Sequence, residues 1–216
     1  WYESSPGFRR AFCSRCGSVV PGTAGDGHRF VPAGSFDADP GVVPKIHLFA
    51  SSAAAWYTIE DSLRQFDAFP NREGPAQLAT PKPTGESSDV SSGSCQCGLC
   101  AYTLSAPIRS AHNCHCSRCR KALSAAHAAN GFVPTDALTF TSGEGELERF
   151  ELTDAKVFCK TCCSIMPCRE EGRGIAVIPL GSLDSVPETG PARHISVDSK
   201  APWFEITDSL PQTATV

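Results

Sequence analysis

Seven of the ten cysteines that follow residue 90 have spacings that are typical of metal-binding thiolates. They fall into three short groups along the sequence: Cys95 and Cys97; Cys114, Cys116 and Cys119; and Cys159 and Cys162. A structural zinc site is closed by four protein ligands, whereas a catalytic zinc keeps three and leaves one coordination position open. Seven thiolates divide into four and three, so the count predicts one closed site and one site that can do chemistry.

The first and last groups, Cys95 with Cys97 and Cys159 with Cys162, are predicted to share the closed, structural zinc. A tight turn brings the two sulfurs of a C-x-C or C-x-x-C pair to about 3.7 Å from each other, as zinc–sulfur bonds of about 2.3 Å require. The two pairs lie far apart along the chain, and a cross-link that closes a long loop stabilises a fold most. The alternative is that all four are ordinary buried cysteines.

The middle group sits so close together that its three cysteines must bind an ion from one loop, which leaves the fourth ligand unspecified. His115 is the alternative for that ligand, but both of its neighbours are themselves ligands, and adjacent side chains seldom converge on one ion. His112 and His127 lie nearby without motif spacing, so we expect them at the surface or in packing contacts. Two zinc ions per chain are therefore predicted.

Composition limits the partners and the compartment. The 216 residues carry 19 Lys and Arg against 23 Asp and Glu, a formal net charge of -4, and no basic field that would attract nucleic acid or a membrane surface. No apolar run approaches the roughly 18 to 20 residues of a membrane-spanning helix. Twelve cysteines could also form a disulfide framework, but C-x-C and C-x-x-C spacings are typical of zinc sites, which favours a cytoplasmic location.

An internal repeat predicts the domain organisation. Residues 12–16 match residues 158–162, and residues 55–63 match residues 202–210. We therefore interpret residues 1–70 as the C-terminal half of a first module, 71–92 as a linker rich in Pro, Gly, Ser and Thr, and 93–216 as a complete module. Because the chain begins with Trp1, we expect that the first module is truncated.

The repeat also leaves a third cysteine pair, Cys13 and Cys16, whose partners would lie in the missing half-module. This pair is a candidate incomplete metal site. It could recruit one of the remaining cysteines, stay free, or bind partners that truncation has removed. The remaining cysteines are Cys100, Cys163 and Cys168.

The elements expected to position these residues are mostly short strands. Runs such as residues 101–104, 138–140 and 174–179 are apolar or β-branched and are bounded by turn formers. Residues 118–130 are rich in alanine, which suits either a short helix or a buried loop of small residues. We predict a mainly β protein of small antiparallel sheets held together by metal.

The complete module resembles the glutathione-dependent formaldehyde-activating enzymes, a family related to centromere protein V. The resemblance is carried by residues 93–98 with Tyr102, residues 114–120, residues 158–162, and residues 200–203 with Asp208. It implies a β-tent type fold, a structural zinc on the first and last cysteine pairs and a catalytic zinc on the middle three. One departure is Cys163, which stands where the family usually has glycine, as the first copy does at Gly17.

The resemblance also implies a reaction, namely the addition of glutathione to formaldehyde to give S-hydroxymethylglutathione, or the reverse carbon–sulfur cleavage by a lyase. Metal coordination lowers the pKa of a thiol and favours its nucleophilic thiolate form. Arg118, Arg120 and Lys121 could bind the carboxylates of glutathione, or could form a solvated basic face. No residue stands out as a general acid or base.

Two alternatives and one partner question stay open at this point. The first alternative is a related enzyme that acts on another thioether or aldehyde in secondary metabolism. The second is a non-catalytic zinc scaffold. Expected partners are a small thiol such as glutathione and an aldehyde, and assembly into a homo-oligomer is left open.

Overall fold

The computed structural model describes residues 1–23, 27–70, 91–151 and 155–214. Short strands predominate in these ranges, and α1 (Ser117–Leu123) is their single α-helix. The prediction of a mainly β protein with small sheets is therefore confirmed. The predicted linker, residues 71–92, lies outside the described residues except for its last two positions. Within the described ranges, no helix has the length and apolar character needed to cross a membrane.

The strands precede and follow α1. The strands of residues 1–70 are β1 (Tyr2–Ser5), β2 (Phe8–Arg10), β3 (Gly22–Thr23), β4 (Arg29–Phe30), β5 (Ile46–Leu48) and β6 (Arg64–Phe66). Those between residue 91 and residue 150 are β7 (Ser91–Ser94), β8 (Ala101–Leu104), β9 (Ser110–Cys114), β10 (Ala128–Pro134), β11 (Leu138–Ser142) and β12 (Leu147–Phe150). The last are β13 (Lys156–Cys159), β14 (Ile165–Met166), β15 (Cys168–Glu170), β16 (Ile175–Pro179), β17 (His194–Ile195) and β18 (Gln212–Thr213).

The largest sheet has six strands in the order β15-β16-β10-β9-β17-β18. Its first four strands are antiparallel, but β17 pairs in parallel with both β9 and β18, so the sheet is mixed rather than purely antiparallel. The register places His194 beside Asn113 and Ile195 beside Cys114. Parallel pairing therefore brings a late segment of the chain against the start of the middle cysteine group.

Two three-stranded sheets carry the other cysteine groups. Their orders are β11-β8-β7 and β12-β13-β14. Cys95 follows the last residue of β7, and Cys159 is the last residue of β13. Alternating side chains of β8 and β16 point into the shared core, where Tyr102, Leu104 and Ile178 are at most 1% exposed. Burial of each such side chain contributes about 1.5–3 kcal/mol to the free energy of folding. This packing holds in place the strands that carry the cysteines.

The alanine-rich run divides into a helix and a strand. Helix α1 begins at its N-cap Cys116, whose sulfur accepts the backbone N–H of Cys119 at 3.4 Å. It ends where Ser124 takes the left-handed conformation, with φ of 53°. Strand β10 starts at Ala128, so the small side chains after Ser124 belong to a turn and to a sheet.

The described part of residues 1–70 contains three two-stranded sheets, β1-β2, β3-β4 and the parallel pair β5-β6. Several of their hydrogen bonds have counterparts in the second half of the chain. These are Ser35 Oγ to Pro32 O (2.7 Å) with Ser182 Oγ to Pro179 O (2.8 Å), and Gly17 N to Cys13 O (2.7 Å) with Cys163 N to Cys159 O (2.9 Å). The division into a half module and a complete module stays a prediction.

Candidate metal centres

Four cysteines from two sheets meet at one point. The sulfur atoms of Cys95, Cys97, Cys159 and Cys162 all lie within 4.8 Å of one another. Cys97 Sγ is 3.4 Å from Cys95 Sγ and 3.8 Å from Cys159 Sγ, close to the separation that tetrahedral zinc imposes on its ligands. The backbone N–H of Cys100 donates to Cys95 Sγ at 3.2 Å, as suits a thiolate. This group has the ligand type, number and spacing of a closed zinc site.

Without a bound cation, burial disfavours the thiolate form of two of these thiols. Burial raises the pKa of the Cys97 thiol to about 12, and burial likewise raises the pKa of Cys159. Four thiolates at these distances would repel one another strongly, whereas a divalent cation compensates their charge. The residues present therefore fit a metal ion, and its binding would release their protons.

The middle cysteines form a second, smaller group. The sulfurs of Cys114, Cys116 and Cys119 lie within 4.8 Å of one another, at the end of β9 and on the first turn of α1. In the part of the chain that the structure describes, no fourth Cys, His, Asp or Glu ligand atom lies that close to all three sulfurs. Hydrogen bonds with Cys114 and Cys119 hold the pKa of Cys116 far below its usual range, whereas hydrogen bonds with Cys114 and Cys116 raise the pKa of Cys119. Such a trio fits a metal ion that keeps one position for another ligand.

A chain of hydrogen bonds leads from this loop to a carboxylate. His115, which is fully buried between Cys114 and Cys116, has its Nε2 atom 2.8 Å from Nδ1 of His194. Nε2 of His194 is 3.0 Å from both carboxylate oxygens of Asp208. A carboxylate only accepts hydrogen bonds, so His194 carries its proton on Nε2 and accepts from His115 at Nδ1. Nδ1 of His115 is then a bare acceptor, and it is buried with no hydrogen-bond partner.

Burial keeps His115 and His127 neutral. The rings of His127 and Phe204 lie 5.0 Å and 5.9 Å from the ring of His115. Burial lowers the pKa of His115 to about 3 and that of His127 to about 4. Both rings are therefore uncharged near neutral pH, so His115 can act as a hydrogen-bond donor at one nitrogen and an acceptor at the other.

The sequence matches the family described as glutathione-dependent formaldehyde-activating enzyme over residues 90–199. This range contains both cysteine groups and half of the chain. The chain belongs to this family. Among solved structures, the crystal structure of a Rhodobacter sphaeroides protein is similar, with 21% identity and a TM-score of 0.37, over 45% of this chain and 91% of that one. A search of curated proteins finds no match.

In this member of the glutathione-dependent formaldehyde-activating family, a groove of about 1260 Å³ reaches the histidine chain. His127, His194 and Trp203 line it from the second half of the chain, and His47 and Asp61 line it from residues 1–70. Pockets for small molecules usually measure about 300–1,000 Å³, so this groove is large enough for a small molecule.

The basic residues after the middle cysteines differ in their surroundings. Arg118 is exposed, whereas Arg120 is half-buried and its Nε atom is buried without a hydrogen-bond partner. Lys121 is exposed and forms an ion pair with Asp37 of the first half. Of the three, Arg120 has the donor that most needs an acceptor.

His194 and Asp208 were not predicted as site residues. The signal that could have found them is the repeat itself, because His47 and Asp61 have the same spacing of fourteen residues and the same contact at 2.9 Å. The ring centroid of His112, a residue expected at the surface or in packing contacts, lies 5.1 Å from that of Phe132.

In the described residues, Cys100, Cys163 and Cys168 belong to neither metal group, although Cys100 contacts Cys95. Cys163 adopts φ of 57°, close to the 68° of Gly17 at the matching position, so the turn keeps its shape at a cost of roughly 1–2 kcal/mol. Cys100 Sγ contacts the carbonyl of Gly143 at 3.3 Å, and Cys168 Sγ lies 3.0 Å from Nη1 of Arg149. Within the described residues, none of these three cysteines joins Cys13 and Cys16 in a group that could hold a metal ion.

Proposed function

We propose that this protein adds the thiol of glutathione to formaldehyde to form S-hydroxymethylglutathione, and that it catalyses the reverse carbon–sulfur cleavage. The observation that carries the proposal is the convergence of Cys114, Cys116 and Cys119 without a fourth ligand in the described residues. The family to which the chain belongs supports the same reaction. The protein would therefore act as a zinc-dependent lyase of the carbon–sulfur type.

The two cysteine groups have different proposed roles. A zinc ion held by the middle three would supply a position that favours the thiolate form of an incoming thiol. Cys116, as the N-cap of α1, and Cys119, on its first turn, hold their sulfurs on a rigid support. The group of Cys95, Cys97, Cys159 and Cys162 joins two sheets, and its proposed role is structural.

The histidine chain is proposed to position the cysteine loop. Asp208 fixes the tautomer of His194, and His194 in turn fixes the ring of His115 between two of the three cysteines. Partners in the outer shell of a metal site orient its ligands in this way. The acceptor Nδ1 of His115 is then held in one orientation.

Arg120 is the best candidate among the basic residues for a carboxylate of glutathione. Its buried, unpaired Nε requires an acceptor, and guanidinium groups bind carboxylates through paired hydrogen bonds. Arg118 is a second candidate because it is exposed on the same helix. Lys121 is a weaker one, since Asp37 already pairs with it.

The direct test is to follow glutathione and formaldehyde by exchange NMR with and without the protein. We expect the zinc-loaded protein, with two zinc ions per chain by elemental analysis, to accelerate exchange between free glutathione and its hydroxymethyl adduct. Cys116→Ser should remove the acceleration. Cys168→Ser, at a thiol outside both groups, is the matched control and should retain it.

Two results would overturn the proposal. A single zinc ion per chain, retained by Cys116→Ser, would leave the middle group without a metal and favour a scaffold. Two zinc ions without acceleration over the spontaneous reaction would exclude this pair of substrates and point to another thioether or aldehyde.

A further inference from the structure

The groove that reaches the histidine chain contains a buried polar side chain with no role in the proposed reaction. Asn113 on β9 lies in register with His194 on β17, and both residues line the groove. Asn113 is 6% exposed, and its Oδ1 atom is buried without a hydrogen-bond partner among the described residues. A buried acceptor that lacks a donor is costly to a fold, so Asn113 indicates a ligand that brings an N–H or O–H donor into the groove.

The charge of the groove favours a cation as that ligand. Among the described lining residues, Lys200 is the single Lys or Arg, whereas four carry carboxylates, namely Glu60, Asp61, Glu205 and Asp208. Burial raises the pKa of Tyr57, another lining residue, and the charges of Asp61, Asp208 and Glu60 raise it further. Negative potential from both copies of the repeat therefore meets in the groove, where it would attract a positively charged molecule.

Aromatic rings also line the groove, and they come from matching segments of the internal repeat. Trp56 and Tyr57 belong to residues 1–70, and Trp203 and Phe204 belong to the second half of the chain. The face of an aromatic ring attracts an ammonium group and also packs against a carbon chain. Carboxylates combined with aromatic rings favour an organic ammonium ion over an anion.

The two walls of the groove are fixed against each other. Trp56 packs against the hydrophobic core of the second half of the chain, and a Cβ atom at Gly190 would lie 3.0 Å from the carbonyl oxygen of Trp56. The hydroxyl of Ser124 donates to the carbonyl of Val19 at 2.6 Å, which adds a hydrogen bond between the halves. Because the groove is already formed, a ligand would bind without a large cost of ordering the protein.

We propose that this groove binds a small organic cation that carries primary ammonium groups and has the size of a short diamine. One ammonium group would donate to Asn113 Oδ1 and to the carboxylate of Asp208, which His194 contacts on the adjacent strand, about 4.8 Å away. The carbon chain would pack against the aromatic rings, and a second ammonium group would reach Glu60 and Asp61. None of the cysteines of the two metal groups is among the described residues that line the groove, so this binding site is separate from the proposed reaction.

The test titrates putrescine, a short diamine, into the zinc-loaded full chain and measures binding by isothermal titration calorimetry. We expect saturable binding with a Kd of about 0.1–1 mM. The uncharged analogue 1,4-butanediol should not bind measurably. Tetramethylammonium, a cation without N–H donors, should bind about tenfold more weakly than putrescine because it cannot donate to Asn113.

Variants distinguish the buried acceptor from the exposed charges. Asn113→Leu removes the acceptor at similar volume and should weaken putrescine binding by about tenfold, whereas Asn113→Asp keeps an acceptor and should bind putrescine at least as tightly as the wild type. Glu60→Gln combined with Glu205→Gln changes two exposed side chains and should weaken binding by about threefold. Glu148→Gln, at an exposed position of β12 outside the groove, is the matched control and should leave the Kd unchanged.

The proposal is overturned if putrescine does not bind at about 10 mM, or if 1,4-butanediol or tetramethylammonium binds as tightly as putrescine. It is also overturned if the combined change at Glu60 and Glu205 alters the Kd no more than Glu148→Gln does, since the attraction would then be a diffuse surface effect. That comparison decides the matter even if Asn113→Leu fails to fold. None of these results depends on the exchange of glutathione with formaldehyde.

Discussion

The two histidine–aspartate pairs of the chain allow a matched experiment on the proposed site. Asp208 accepts hydrogen bonds from His194 at 3.0 Å and from the backbone N–H of Leu210 at 3.0 Å. Asp61 makes the same contacts with His47 and with Leu63 at 2.9 Å. The histidines differ in burial, since the side chain of His194 is 2% exposed and that of His47 is 24% exposed. Asp208→Asn and Asp61→Asn therefore remove the same carboxylate charge, in one case beside a buried histidine and in the other beside a partly exposed one.

The expected loss follows from that difference. Asparagine can keep one acceptor oxygen for the backbone N–H, but it loses the charge and the second oxygen. A hydrogen bond to a charged partner contributes about 1.5–3 kcal/mol when buried, so Asp208→Asn should lower the free energy of unfolding by about 1–2 kcal/mol. The half-exposed pair at Asp61 should lose only about 0–1 kcal/mol. For a chain of this size, the first loss lowers Tm by roughly 2–8 °C.

Only the substitution at Asp208 should also affect the middle cysteine group, because hydrogen bonds through His194 and His115 connect Asp208 to it. Loss of an outer-shell partner of a metal site typically lowers metal affinity or activity by about 10–100-fold. We expect about tenfold for Asp208→Asn, because the contact between His194 and His115 is retained. Urea unfolding of both variants, zinc competition with a chromophoric chelator and the NMR exchange assay measure these effects. Equal destabilisation by both variants, together with unchanged zinc affinity and activity in Asp208→Asn, would refute the proposed role of the histidine chain.

Three further predictions concern single side chains. Cys97→Ser should unfold the complete module while Cys116→Ser lowers activity in a folded protein; circular dichroism beside the exchange assay checks this, and equal unfolding would contradict the division of roles. His127 binds its proton at about pH 6.5 when unfolded but at about pH 4 when folded, so stability should fall as pH drops through that window. His127→Gln should flatten this part of the curve in urea unfolding, and an unchanged slope would exclude His127 as its source. Tyr102→Phe removes the 2.8 Å hydrogen bond to Ser182 and should cost about 1 kcal/mol by the same method, whereas an unchanged midpoint would show that the bond contributes nothing.

Three of the strands were predicted where local chemistry dictates them, and the third, expected at residues 174–179, forms β16 (Ile175–Pro179). Residues 101–104 were expected as a strand and form β8, and residues 138–140 lie in β11. The alanine-rich run was ambiguous, because propensity alone does not show that Ser124 ends α1 in the left-handed conformation. The parallel pairing of β17 with β9 was not predicted, since it depends on how a late segment folds back onto the sheet.

The sequence by itself determined which thiols can reach a metal ion, since a few intervening residues decide the distance between two sulfurs in a C-x-C or C-x-x-C turn. The sequence also showed the internal repeat and the resemblance to the family. Only the tertiary structure joined His115 to His194, seventy-nine residues away, and placed Trp56 in one groove with Asn113 and Trp203. Such contacts depend on strand pairing and core packing over long stretches of chain, which no local spacing encodes.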